Sequence, residues 1–221
     1  MTLILDQKTD KKRIGQLPRA VFEGDIRVVD TLEGAEKAVR VLQKADIVGV
    51  DTETRPSFKK GVSHKVALLQ ISTERECFLI RLNKIGMPEC VRDFLAGDVL
   101  KVGLSLKDDF MMLRRRRMSE DAEAGRRPSP GDGGRVRGDW VELQDYVERF
   151  GILDKGLAKL YANLFDMKIS KAQQLSNWEA DRLTEAQQKY AATDAWACIK
   201  IFKRLRDAEL SGDYKVVPVV S

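Results

Sequence analysis

The spacing of apolar residues changes several times along the chain, and each change predicts an element. Val21, Phe22, Ile26, Val28 and Val29 predict a first strand over residues 22–30. Ala35, Val39 and Leu42 then recur at helical spacing, so a helix is expected from Thr31 to Ala45. The nearly unbroken run Ile47-Val48-Gly49-Val50 predicts a short strand over 46–53, buried on both faces and ending in Asp-Thr-Glu. A polar loop from Arg55 to His64 leads to two more strands, 65–72 and 77–82. Their tight link, Thr73-Glu74-Arg75, makes them a hairpin. A helix over 89–95, a core strand over 100–104 and a helix through 108–117 follow. Residues 141–210 read as helical, with a break near 168–178. Strands first, with helices interleaved and then dominant, predict a mixed α/β domain.

Between about 119 and 139 the composition shifts to GRRPSPGDGGRVRGD, rich in Gly and Pro and poor in apolar residues. With no second core on either side, this reads as a loop inserted in one domain. At 221 residues and 43% hydrophobic content, one substantial core fits. Residues 1–21 are expected to be an N-terminal extension, 22–210 the domain, and 211–221 a C-terminal tail. The three cysteines, Cys77, Cys90 and Cys198, show no CxxC spacing, which favours a reducing compartment. The apolar patch in MTLILDQKTDKK is too short for a signal peptide or a membrane span, so a cytoplasmic protein without membrane contact is expected. The net charge of +5 is compatible with a polyanionic partner. The arginines Arg114–Arg117, Arg126, Arg127, Arg135 and Arg137 form either a solvated helix end and loop or a nucleic-acid contact.

Asp194 changes this picture most. On a helix from Leu183 to Leu210, Tyr190, Asp194, Cys198, Ile201 and Leu205 share one face, so a carboxylate sits on a core-facing stripe with no Lys or Arg beside it. A buried charge needs a partner. Asp51 and Glu53, two apart on a strand, project to one face while Thr52 points away. Such a pair either ends a strand in an ordinary polar turn or binds a hard divalent cation, Mg²⁺ or Mn²⁺. From Lys107-Asp108-Asp109-Phe110, Asp109 falls nearer the inner face defined by Leu106, Phe110 and Leu113, and Asp108 points outward. Tyr190 and Asp194, one helical turn apart, project side by side, and a phenol there could orient an attacking water.

These residues carry a family resemblance. Asp-x-Glu at a strand end, Asp109 four residues after Ser105 with Leu113 four further on, and Tyr-x-x-x-Asp resemble the three motifs of the DEDD superfamily of 3′–5′ exonucleases. Tyr190 marks the DEDDy branch. The stretches VGVDTET, VALLQIS, KVGLSLKDDF, LSNWE and YAATDAWA are similar to the exonuclease domain of the Werner syndrome helicase and to the catalytic domain of RNase D. The similarity runs from about 22 to 207; Ser105 stands where many members have Asn.

The resemblance implies a ribonuclease H-like mixed sheet flanked by helices and hydrolysis with two divalent ions, Mg²⁺ or Mn²⁺. The ligands would be Asp51, Glu53, Asp109 and Asp194, with Asp51 shared by both ions and Tyr190 positioning the water. The implied partner is single-stranded or 3′-end nucleic acid, DNA or RNA, and the products are nucleoside 5′-monophosphates. Thr52, Lys171 and Trp178 are candidate substrate contacts. Lys171 would neutralise a phosphate, and Trp178 either stacks on a base or packs the last helix against the core. His64 falls outside the position used by the His-dependent branch and reads as a surface residue. Two other functions remain open on sequence: a catalytically silent nucleic-acid-binding domain on the same fold, and a phosphodiesterase acting on small nucleotides.

Overall fold

A computed structural model of the chain describes residues 2–125 and 138–219. Its elements in order begin with β1 (Leu3–Asp6), α1 (Lys11–Gln16), β2 (Asp25–Val29) and α2 (Leu32–Leu42). Then come β3 (Ile47–Thr54), β4 (Val66–Ser72), β5 (Glu76–Ile80), α3 (Leu82–Ile85), α4 (Glu89–Ala96) and β6 (Leu100–Gly103). α5 (Leu106–Glu123), β7 (Trp140–Glu142), α6 (Leu143–Tyr146) and a 3-10 turn (Val147–Phe150) lead to α7 (Leu157–Phe165), α8 (Glu185–Ser211) and β8 (Tyr214–Val217).

β3 lies inside a six-stranded sheet of order β2-β5-β4-β3-β6-β7. It pairs antiparallel with β4 and parallel with β6; β4 is antiparallel to β5, while β2–β5 and β6–β7 are parallel. This is the ribonuclease H-like mixed sheet, with β2 as an extra edge strand. The 73–75 link is the expected hairpin: Ser72 pairs with Cys77, and Thr73 Oγ1 accepts from the Arg75 and Glu76 amides.

Strand alternation sorts β3 between two helical layers. Val48 and Val50 face one side, joining Leu42 of α2, Phe94 of α4 and Leu106 and Leu113 of α5 in one core cluster. On the other side α8 covers the sheet: Ala191 and Ala192 pack with Phe22, Leu68, Leu79 and Trp178, while Ile201 and Leu205 pack with Leu143 and Leu160. Buried apolar surface on both faces explains the continuous hydrophobic run of β3.

Several elements differ from expectation. α5 runs six residues beyond Arg117, to Glu123, because its polar end is anchored at side chains: Arg116, 9% exposed, donates to the Val66 and Leu82 carbonyls and pairs with Glu120. Arg117 pairs with Asp121, and Arg114 and Arg115 are exposed. Part of the arginine run is therefore structural. Arg126, Arg127, Arg135 and Arg137 lie outside the described residues. Residues 141 and 142, expected as helix, belong to the edge strand β7, and the later break extends from 166 to 184. α8 starts where Thr184 and Gln187 make a reciprocal capping box. The segments 1–21 and 211–221, expected as extension and tail, each supply a strand: β1 and β8 form a two-stranded parallel sheet, with Leu5 fully buried. Among the described residues no helix is long and apolar enough to cross a membrane.

The contact between α8 and β3 is unusually close and depends on Gly49. A Cβ there would lie 1.8 Å from the Ala195 carbonyl oxygen, a backbone atom that cannot move without the helix. Gly49→Ala is expected to lower stability by at least about 3 kcal/mol through overpacking, measured by urea unfolding.

Candidate active site

The close seating of α8 places Asp194, the residue before Ala195, over the end of β3. Asp51 and Glu53 follow Gly49 on the same face of that strand. Asp51, Glu53 and Asp194 each offer a carboxylate oxygen, and these atoms lie within 4.8 Å of one another. They line a cavity of about 340 Å³ together with Thr52, Ser105, Asp109, Lys171, Gln174 and Tyr190.

Asp109 reaches this cavity from the opposite layer. It sits in the first turn of α5, and its Oδ1 accepts a 2.6 Å hydrogen bond from Thr52 Oγ1. Thr52 thus points away from Asp51 and Glu53, as alternation requires, and links the two layers. Asp108 is exposed, consistent with the outward placement read from the helix phase. Asp109 does not join the three-acid group but lines the same cavity.

A residue absent from the sequence reading holds this corner in place. Glu142 of β7 accepts from the Ser105 amide at 2.9 Å and the Leu106 amide at 2.7 Å, satisfying free N–H groups at the start of α5. Ser105 itself turns into the left-handed region, φ 65°, a conformation in which Asn is favoured over most residues. The signal for Glu142 was hidden because 141 onward read as helix, whereas only a strand beside β6 brings it to α5.

On the other wall, Tyr190 lies one turn from Asp194, its phenol against that carboxylate. Lys171, exposed at the rim, is the one basic side chain lining the cavity among the described residues, and its charge favours ionised Asp194. Trp178 corrects one expectation: it is 0% exposed, packed with Phe22, Leu68 and Leu79 and 6.0 Å from the Tyr190 ring, so no face is left for a base. It supports Tyr190 from behind. His64 is half-buried and lies 3.5 Å from Glu179, lining a different cavity.

The electrostatics are those of acids lacking a counter-charge. Burial, then repulsion from Asp194, Asp109 and Glu53, holds Asp51 well above the usual carboxylate range. Burial and the charges of Asp194 and Asp109 push Glu53 to about 9. Burial raises Asp194 to about 7, against the Tyr190 hydroxyl and Lys171, which hold it down. Burial raises Asp109 to about 6, opposed by the Thr52 hydrogen bond. The Tyr190 phenol is driven above its usual range by burial and then by Asp194. Among the described residues nothing donates a hydrogen bond to the buried oxygens Asp109 Oδ2 and Asp194 Oδ1. Clustered hard oxygens, two of them unpartnered, with one rim lysine against four acids, fit divalent cations.

The comparisons with known proteins agree with this geometry. The family model described as 3'-5' exonuclease matches residues 26–208, and the chain belongs to that family. It is 32% identical over 167 residues to a 3'-5' exonuclease of Arabidopsis thaliana, covering 72% of this chain and 52% of that protein. It is 27% identical over 177 residues to the mouse bifunctional 3'-5' exonuclease/ATP-dependent helicase WRN, covering 74% of this chain and 11% of that one. The chain thus spans about half or less of these relatives. Among solved structures, the Aedes aegypti Nibbler EXO domain superposes with TM-score 0.71 at 20% identity, covering 89% of this chain and 95% of that one. The Trypanosoma brucei RNase D complex with RNA U12 gives 0.60 at 18%, covering 83% and 63%. These likenesses show a shared fold.

Acids whose folded pKa lies above the unfolded value bind more protons in the native state, so their ionisation destabilises the fold as pH rises from about 4 towards their folded values. Metal-free protein carrying Asp51→Asn and Asp194→Asn is therefore expected to be more stable than wild type at pH 8. The gap should narrow towards pH 4, as followed by urea unfolding at several pH values.

Proposed function

We propose that this chain is a metal-dependent 3′–5′ exonuclease that hydrolyses phosphodiester bonds from the 3′ end of DNA or RNA and releases nucleoside 5′-monophosphates. The observation that carries the reading is the convergence of Asp51, Glu53 and Asp194 from a strand and a helix far apart in sequence, with Asp109 facing the same cavity. A fold kept only for binding would have no use for four converging acids, three half-buried and one buried. The RNA-bound RNase D relative supports including RNA among the substrates.

In this reading Asp51, Glu53, Asp109 and Asp194 would hold two divalent ions, Mg²⁺ or Mn²⁺. When bound, such ions make water a competent nucleophile at neutral pH and stabilise the leaving oxygen. The chain's own groups do the positioning. Tyr190, kept protonated by burial and then by its acidic neighbours, donates a hydrogen bond that orients the attacking water. Lys171 approaches a phosphate oxygen from the rim. Thr52 holds Asp109 in place and lines the cavity beside the terminal nucleotide. Water oxygen bonds to phosphorus, the bond to the preceding 3′ oxygen breaks, and that oxygen leaves as a hydroxyl. The three cysteines are unpaired, which supports a reducing, cytoplasmic location.

The test offers 5′-labelled single-stranded and recessed-end DNA and RNA with Mg²⁺ or Mn²⁺. A ladder shortening from the 3′ end is expected, with Asp51→Ala and Asp194→Ala each reducing its rate more than about 100-fold. Binding without shortening in either metal would refute hydrolysis. Tyr190→Phe should lower kcat by about 100-fold or more while Mn²⁺ affinity, measured by calorimetry, stays near wild type.

A further inference from the structure

Gln70 is fully buried in β4, and neither Oε1 nor Nε2 of its carboxamide has a hydrogen-bond partner. A buried amide of this kind is costly and calls for an explanation. The register supplies one: Gln70 is the direct cross-strand partner of Asp51, so both side chains project to the α8 face. Directly opposed residues in an antiparallel pair have Cβ atoms about 5 Å apart, within reach of an amide of this length. The neighbours of Gln70 on that face of β4 are Leu68 and Ser72. Leu68 is apolar, and the Ser72 hydroxyl is engaged by the Thr73 carbonyl. Within this strand the carboxamide is the group able to donate to Asp51 from the sheet side.

We propose that Gln70 is a positioning residue: its carboxamide makes no hydrogen bond to Asp51 as the side chains stand, and Nε2 donates one to the Asp51 carboxylate when that carboxylate turns to hold divalent ions. The inference rests on the metal-centre reading above. Hydrogen bonds to ligating carboxylates are a recurrent device, and their loss typically weakens metal binding 10- to 100-fold. An amide suits the place because it adds a donor without adding charge to an already acidic cluster.

The test compares wild type with Gln70→Met and Gln70→Leu, which keep the bulk and remove the donor. Urea unfolding of the metal-free proteins and calorimetric titration with Mn²⁺ are the two readouts. Metal-free stability is expected to be unchanged or higher, since an unpartnered amide leaves the core, while the Mn²⁺ dissociation constant rises about 10-fold or more. Wild-type Mn²⁺ affinity in either folded variant would overturn the role of Gln70 and leave the metal centre standing. Failure of wild type itself to bind Mn²⁺ would overturn the metal centre and this inference with it. If neither variant folds without metal, Gln70 is a structural hydrogen-bonding residue and the proposal is wrong.

Discussion

The distance between α8 and β3 governs the rest of this structure. At Gly49 the helix backbone meets the strand with no side chain between them, and that contact is what lowers Asp194 onto Asp51 and Glu53. A wider gap would leave the same four acids in the sequence without bringing their oxygens within range of a common ion. The two flanking cores reinforce the contact from either side. Val48 and Val50 anchor β3 to the α2/α5 layer, while Ile201 and Leu205 anchor the far half of α8. Packing energy from dozens of apolar groups thus holds a few carboxylates in a place they would not choose.

Those carboxylates strain the metal-free molecule. Desolvation is the largest cause of the upward shift at Asp51, Glu53, Asp109 and Asp194, with mutual repulsion adding at Asp51 and Glu53. The surrounding groups temper the strain without abolishing it: Thr52 donates to Asp109, and Tyr190 and Lys171 favour charge on Asp194. Glu142 acts differently. It neutralises the positive end of α5 and so fixes the helix start, but its own charge adds to the repulsion on Asp109. A corner built this way holds its acids converged at the expense of stability.

Much of this was legible in the chain. The nearly unbroken apolar run into Asp-Thr-Glu located β3, strand alternation gave the facing of its acids, and the helical stripe through Tyr190 and Leu205 located α8 and exposed Asp194 as out of place. Helix phase separated Asp109 from Asp108. The features that escaped depend on contacts distant in sequence. Glu142 matters because β7 pairs with β6, and a three-residue strand carries too few positions to show a period. Gln70 looks like an ordinary polar residue of VALLQIS until the register sets it against Asp51. Trp178 was ambiguous for the opposite reason: an aromatic before a helix start fits a core as well as a base, and only the layer formed with Phe22 and Leu79 decides.

The parallel pairing of β1 with β8 has a bearing on how the molecule is made. Leu3 and Tyr214 are register partners, so β1 leaves the ribosome long before the strand it pairs with. Until then Leu5, which ends fully buried, has only part of its eventual neighbourhood. The same delay applies to the acid cluster, because Asp194 emerges long after Asp51 and Glu53. Vectorial synthesis therefore yields a sheet first and a complete acid cluster late, and contacts of such long sequence separation make that closure slow.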